Sequence, residues 1–161
     1  MLMRTLTSLL AAIALLCLGG TTAVASPPVS GTGTFNFNFT PISSRSADGN
    51  TFFSFIFHET ISGIYSGTRV GQAELVVHPD GTVNATDSGV FSGTFAGSAP
   101  GTAILSVEAA GTFAALSAQG QFSNGTAGLN GIHGQVFGSA AATGPTSLAG
   151  TYTGRAQFGA P

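Results

Sequence analysis

The sequence predicts an all-β fold: an eight-stranded antiparallel up-and-down closed β-barrel, placed behind an export signal. Three observations carry this reading. Apolar and polar residues alternate in runs of strand length, and glycine, proline, asparagine and aspartate punctuate those runs at regular intervals. The chain holds 13 phenylalanines and 24 glycines, with few strong helix formers after the first 25 residues. A short pattern, Gly-x-aromatic-x-Gly, recurs at 63–67, 89–93 and 150–154. Glycines of this kind let a sheet coil tightly and let a neighbouring ring lie over bare backbone. Strong coiling favours closure, and closure removes exposed sheet edges.

Residues 1–25 read as a secretory signal peptide. Arg4 is the only charge before an apolar run over 6–18, and Ala23-Val24-Ala25 supplies a small-x-small end. The 13-residue run is shorter than the roughly 20 residues that a spanning helix needs. Cleavage is expected after Ala25, giving a secreted or periplasmic protein whose only membrane association is through the export signal. Leu16 stands where a lipoprotein site wants a small residue, which argues against acylation of Cys17.

The remaining 161 − 25 = 136 residues suffice for one domain, expected over 31–161 after a flexible lead-in at 26–30. They contain no cysteine and therefore no disulfide. Arg45, Arg69 and Arg155 face Asp48, Glu59, Glu74, Asp80, Asp87 and Glu108, a balance of 3 − 6 = −3. No lysine is present and no basic stripe can be drawn, so nucleic acid is excluded as a partner class.

The elements follow in order. Residues 34–40 alternate strictly, with Phe35, Phe37 and Phe39 on one face, and Pro41 is expected to end the strand. A turn over 46–50 leads to a second strand at 51–61, where Phe53, Phe55, Phe57 and Ile61 share a face. Pairing the two would build a phenyl ladder. A third strand over 64–78 puts Ala73, Leu75 and Val77 together and ends at the turn His78-Pro79-Asp80-Gly81. Further strands are read at 82–95, 102–113, 116–124, 132–140 and 148–158, with turns around Pro100 and at Gly144-Pro145.

The stretch 126–137 spaces Gly128, Gly131 and Gly134 three apart. It lacks the strand-then-helix setting of a phosphate loop. It reads as an architectural corner, where one strand ends, turns through Asn130-Gly131 and enters the next. Together with Gly150-Thr151-Tyr152-Thr153-Gly154, the run 124–134 resembles the allene oxide cyclase-like barrel proteins. Within them it is most similar to a bacterial exported domain family of unknown function, and more distantly it resembles the dirigent proteins. The likeness runs from about 60 to 158. It implies a calycin-like barrel with an apolar lumen and, since the plant relatives are often trimeric, allows a homo-oligomer. Relatives commonly carry a Glu-Arg pair in the strand after the Asp-Gly turn, where this chain has Gly89-Val90. No catalytic residue is therefore carried over from the resemblance.

Among candidate site residues, Glu59 stands out. Counting by twos places it on the face of Phe53, Phe55, Phe57 and Ile61, and a carboxylate on an apolar face is costly unless paired or protonated. Two bland readings compete with a catalytic one: a bulge near Ser62-Gly63 turns Glu59 outward, or Arg69 or Arg155 pairs with it. Phe53, Phe55 and Phe57 are the candidate ligand-binding residues of the lumen. Glu74 and Glu108 fall opposite their strands' apolar sets and read as solvated. His58, His78 and His133 show no metal-ligand spacing, His78 is expected in solvent, and no metal or cofactor is assigned. No Gly-x-Ser-x-Gly elbow is present to support a serine triad.

The leading functional expectation is an exported barrel that holds a small apolar molecule in its lumen or merely packs its core. The alternative is an isomerase or cyclase acting on a lipophilic substrate, with Glu59 in acid–base work. A third reading, an eight-stranded outer-membrane barrel, suits export but lacks an aromatic girdle: the chain has no tryptophan and only two tyrosines.

Overall fold

The computed structural model describes residues 26–159, so the expected signal peptide and Cys17 lie outside the described residues. Eight strands, β1 (Val29–Ala47), β2 (Asn50–Gly63), β3 (Tyr65–Val77), β4 (Val83–Phe95), β5 (Gly101–Thr112), β6 (Ala115–Ala127), β7 (Ile132–Gly144) and β8 (Ser147–Phe158), follow one another without a helix among them. Each pairs antiparallel with its successor, and β8 returns to β1 to close the barrel.

Two expectations on β1 are corrected. The lead-in at 26–30 is already tied down at its end: Val29 and Ser30 pair with Ala156 and Arg155, and Ser26 hydrogen-bonds to Phe158. Pro41 does not end the strand, which runs on to Ala47 with a register shift between Pro41 and Ser43. The reason lies in the neighbours. Ladder pairing with β8 stops at Asn38, with one further bond from Phe39 N–H to the Thr146 carbonyl, so at Pro41 β1 pairs only with β2. A proline is tolerated where one side of a strand needs no donor, and a bulge absorbs its missing N–H.

The turns obey their residues. Asp48 and Gly49 both have positive φ (52° and 78°), the requirement of the two-residue turn that matches strand twist. Gly81 N–H closes the third hairpin on the His78 carbonyl. His78 is half-buried rather than in solvent, because its ring is held between Asn50 Oδ1 (2.9 Å) and Asn84 Nδ2 (2.8 Å). The corner over 128–131 forms as expected: β6 ends at Ala127, Gly131 turns with φ 71°, and β7 starts at Ile132. Its Leu129 is fully buried and plugs that end of the barrel beside Phe95 and Ile132.

Side chains alternate across the wall. Phe57, Ile61, Tyr65, Phe91, Leu105, Phe122 and Tyr152 point inward and are buried. Outward positions carry mostly serine, threonine, asparagine and glutamine, with Glu74 and Glu108 exposed as expected. An apolar inside and a polar outside are the reverse of a membrane-spanning barrel. The phenyl ladder between β1 and β2 exists: Phe37 stacks on Phe57 with centroids 4.7 Å apart, and Phe39 meets Phe55 at 4.9 Å. Each such cross-strand pair contributes about 0.2–1 kcal/mol. The aromatics of the three Gly-x-aromatic-x-Gly segments converge inside the barrel, Tyr65 lying 6.4 Å from Phe91 and 5.9 Å from Tyr152. The glycines make room for rings. A Cβ at Gly89 would lie 2.8 Å from Phe57 Cζ, and one at Gly150 would lie 2.8 Å from Phe35 Cζ.

Candidate functional site

The lumen is filled unevenly, and this asymmetry makes the site. On the β1–β2 side phenyl rings pack against one another up the wall, Phe37 stacked on Phe57 and Phe39 tilted against Phe55. Across the lumen, β5 to β7 present small side chains: Ala109, Ala118, Gly138 and Ala140. Between the two walls lies a cavity of about 100 Å³. The end carrying Leu129 and Phe95 is plugged, whereas toward the other end the cavity is bounded by Leu116, Ala140 and Leu148, the last two only half-buried.

Glu59, Arg69 and Asp87 reach this cavity together from three successive strands. Glu59 points inward and is 6% exposed, so the outward-turning bulge is excluded. The pairing reading holds through Arg69, whose Nε donates to Glu59 Oε2 at 2.6 Å. Arg155 is elsewhere, donating to Gln135 on the outer wall. Arg69 is 2% exposed and nearly saturated: Nη1 and Nη2 donate to the two Asp87 oxygens at 2.6 and 3.2 Å, and Nη1 also donates to the Leu105 carbonyl at 3.2 Å. Its guanidinium carbon sits 4.6 Å from the centroid of Phe57. Among the described residues Glu59 Oε1 has no hydrogen-bond partner, although the residue lines the cavity.

The electrostatics are lopsided. Two carboxylates share one guanidinium, leaving 1 − 2 = −1 when all three are ionised. Burial raises the Glu59 carboxyl above its ordinary value, Arg69 opposes the rise, and the Asp87 charge adds to it. Burial likewise raises Asp87 against the pull of Arg69. The two tyrosines at the cavity are already committed. Tyr152 hydroxyl accepts from Tyr65 N–H at 3.0 Å and shares its proton between the Tyr65 and Ser62 carbonyls at 3.1 and 3.2 Å; Tyr65 hydroxyl donates to the Arg155 carbonyl at 3.2 Å. They are struts across the lumen.

Of the residues expected at the site, Glu59 is there. Phe53, Phe55 and Phe57 point inward, but none lines the cavity; they fill the lumen beside it, and Phe35, Phe37 and Phe122 are its phenyl walls. Asp87 was not singled out from the sequence, although the signal existed. Counting by twos from Val83 and Phe91, both buried, puts Asp87 on the inner face of its strand. His58 and His133 are exposed on β2 and β7, far apart in strand order from one another.

No family model matches the chain, and a search of curated proteins gave no match. Among solved structures the fold is similar to that of a protein of unknown function from the DUF3224 family of Shewanella oneidensis MR-1, with a TM-score of 0.60 at 15% sequence identity over 80% of this chain and 96% of that one. At that identity the likeness is one of fold alone.

Proposed function

We propose that the protein is an exported barrel that binds a small apolar molecule in its lumen. The observation that carries this is a cavity of about 100 Å³ walled by Phe35, Phe37, Ile61, Phe122 and Val136, with a buried ionic cluster at one side. Side chains could have filled it, since large residues occupy the lumen on both sides of it. Apolar cavities of about 150 Å³ stay dry and take up benzene-sized molecules, so this one suits a short chain or a small ring. Export rests on the segment 1–25 and its small-x-small end.

The test is binding of n-pentane, followed by NMR shifts of lumen methyl groups, in the parent and in Ala118→Leu and Ala140→Leu. Shifts centred on Ile61, Leu105 and Val136 in the parent and lost in the filled variants support the reading. No shift in the parent, or equal shifts in all three, overturns it. Native mass spectrometry of protein purified from its own host would then identify a retained molecule.

The allene oxide cyclase resemblance supports a second reading, an isomerase or cyclase on a lipophilic substrate. The specific observation in its favour is Glu59, a cavity-lining carboxyl with one oxygen free and its proton affinity raised by burial. Its ion pair with Arg69 works against proton donation, which ranks this reading below binding.

A further inference from the structure

The cavity has one polar corner, and its chemistry is selective. The rest of the wall is apolar apart from Gln119, whose exposed amide donates to Glu108; the tyrosine hydroxyls are spent on backbone groups, and four of the five Arg69 N–H groups are engaged. Among the described residues, the carboxylate oxygen of the cluster left without a partner is Glu59 Oε1, an acceptor on a residue more than nine-tenths buried. With both carboxyls ionised, the cluster around it carries an excess of one negative charge. Oε1 opens onto the cavity, since no fully buried side-chain oxygen or nitrogen among the described residues lacks a partner, and an uncompensated charge at so apolar a wall is costly.

Resting on the lumen-binding reading, we infer that the site selects a small apolar molecule whose single polar group is a hydrogen-bond donor without negative charge, an alkylammonium or an alcohol, seated on Glu59 Oε1. Both satisfy the orphan acceptor. The ammonium also brings the cluster to neutrality, two negative against two positive. A carboxylate has the wrong sign: it would place a third anion beside Glu59 and Asp87 and find no free guanidinium N–H fork. Acidic lipophiles are therefore disfavoured although an arginine lines the cavity, because its two flanks are already occupied by the protein's own carboxylates.

The experiment is a titration of the full exported protein with four probes of similar size: n-butylamine, 1-butanol, n-pentane and butyrate. Lumen methyl shifts report affinity. n-Butylamine and 1-butanol should bind at least about tenfold tighter than n-pentane, the worth of one hydrogen bond to a charged group, and butyrate should be weakest. Glu59→Gln keeps shape and removes the charge, so it should erase most of the amine's advantage over n-pentane. Asp87→Asn removes the excess charge but leaves Glu59 Oε1 in place. It should weaken n-butylamine and spare 1-butanol. Retained n-pentane binding shows that each variant is folded. If n-pentane matches both donors, donor selection is overturned while the lumen-binding reading stands. If no probe binds, both fall. If butyrate binds tightest, or if the amine's advantage survives Glu59→Gln, the assignment to Glu59 is overturned.

Discussion

Arg69 Nη1 lies 2.6 Å from Asp87 Oδ1 although the sheet register sets Arg69 opposite Phe91 and Asp87 opposite Ala73. The side chain crosses a row of the sheet to get there. That row is Gly71 opposite Gly89, two residues with no side chain on the inner face. The bare backbone is what lets the guanidinium pass and the Phe57 ring settle against Gly89. A Cβ at Gly89 would lie 2.7 Å from the Val70 carbonyl oxygen as well as 2.8 Å from Phe57 Cζ. Gly89→Val is expected to cost about 1–3 kcal/mol through overpacking, measured by urea denaturation. It should also separate Arg69 from Asp87 in a crystal structure. Unchanged stability would mean that the glycine row is incidental.

Removing the arginine should cost more than removing either carboxylate. Arg69→Leu leaves Glu59 and Asp87 buried side by side without a counter-charge. Breaking a buried ion pair on one side costs about 3–5 kcal/mol. The loss should be largest at neutral pH and shrink in acid, where both orphaned carboxyls take up protons. Thermal melts of the variant at pH 4 and pH 7 check this. Equal destabilisation at both values would point to lost packing against Phe57 instead of lost charge.

Glu59 sets a pH dependence with a definite sign. Its folded proton affinity is raised above the ordinary value of 4.5, and that of Asp87 above 3.8. The folded state therefore holds protons more tightly than the unfolded one in this window. Stability from these groups is fully present below about pH 4 and is lost as pH rises through the raised folded values. Glu59→Gln should flatten that slope and be neutral or stabilising at pH 7, because it leaves a one-to-one Arg69–Asp87 pair. A variant clearly less stable than the parent at pH 7 would show that the Glu59–Arg69 attraction outweighs burial.

The fold was legible because the barrel depends on features that sequence carries directly. Alternation named the inward phenyl rings, and Asp48-Gly49 and Pro79-Asp80-Gly81 named their turns. Glu59 was legible for the same reason, as a charge on an apolar face. The extension of β1 past Pro41 was not, because the cost of a proline depends on how many neighbours a strand has. That number is known only once β8 has closed on β1. The cavity was hidden too. It arises from Ala109, Ala118 and Ala140 facing Phe35 and Phe37 across the lumen, a relation between strands distant in sequence. Asp87 lay in between: its face could be counted, but its arginine could not be assigned without the register.

The glycine corner should prove structural. Gly131 turns with φ 71°, which a β-branched residue resists, and a Cβ at Gly134 would lie 2.8 Å from the Tyr65 hydroxyl. Gly131→Val and Gly134→Val are each expected to cost more than about 1 kcal/mol. Gly134→Val should in addition disturb the Tyr65 strut. Parent-like melting of both variants, with n-pentane binding lost, would make the stretch a binding loop instead.

The last prediction separates a real vacancy from a merely loose wall. Filling about 100 Å³ of cavity is worth at most on the order of 2 kcal/mol, from the usual dependence of core stability on void volume. Ala118→Leu or Ala140→Leu should recover part of this and melt at or above the parent, since both alanines face the void. Ala103 supplies the contrast. It is 2% exposed and packed in the plugged half of the barrel with Phe91 and Phe122. Ala103→Leu has no void to enter and should cost about 1–3 kcal/mol by overpacking. The difference between the two positions is the informative quantity, because backbone propensity for leucine over alanine in a strand is common to both. If Ala118→Leu and Ala140→Leu are destabilised as much as Ala103→Leu, the lumen is already full in solution and cannot admit a guest.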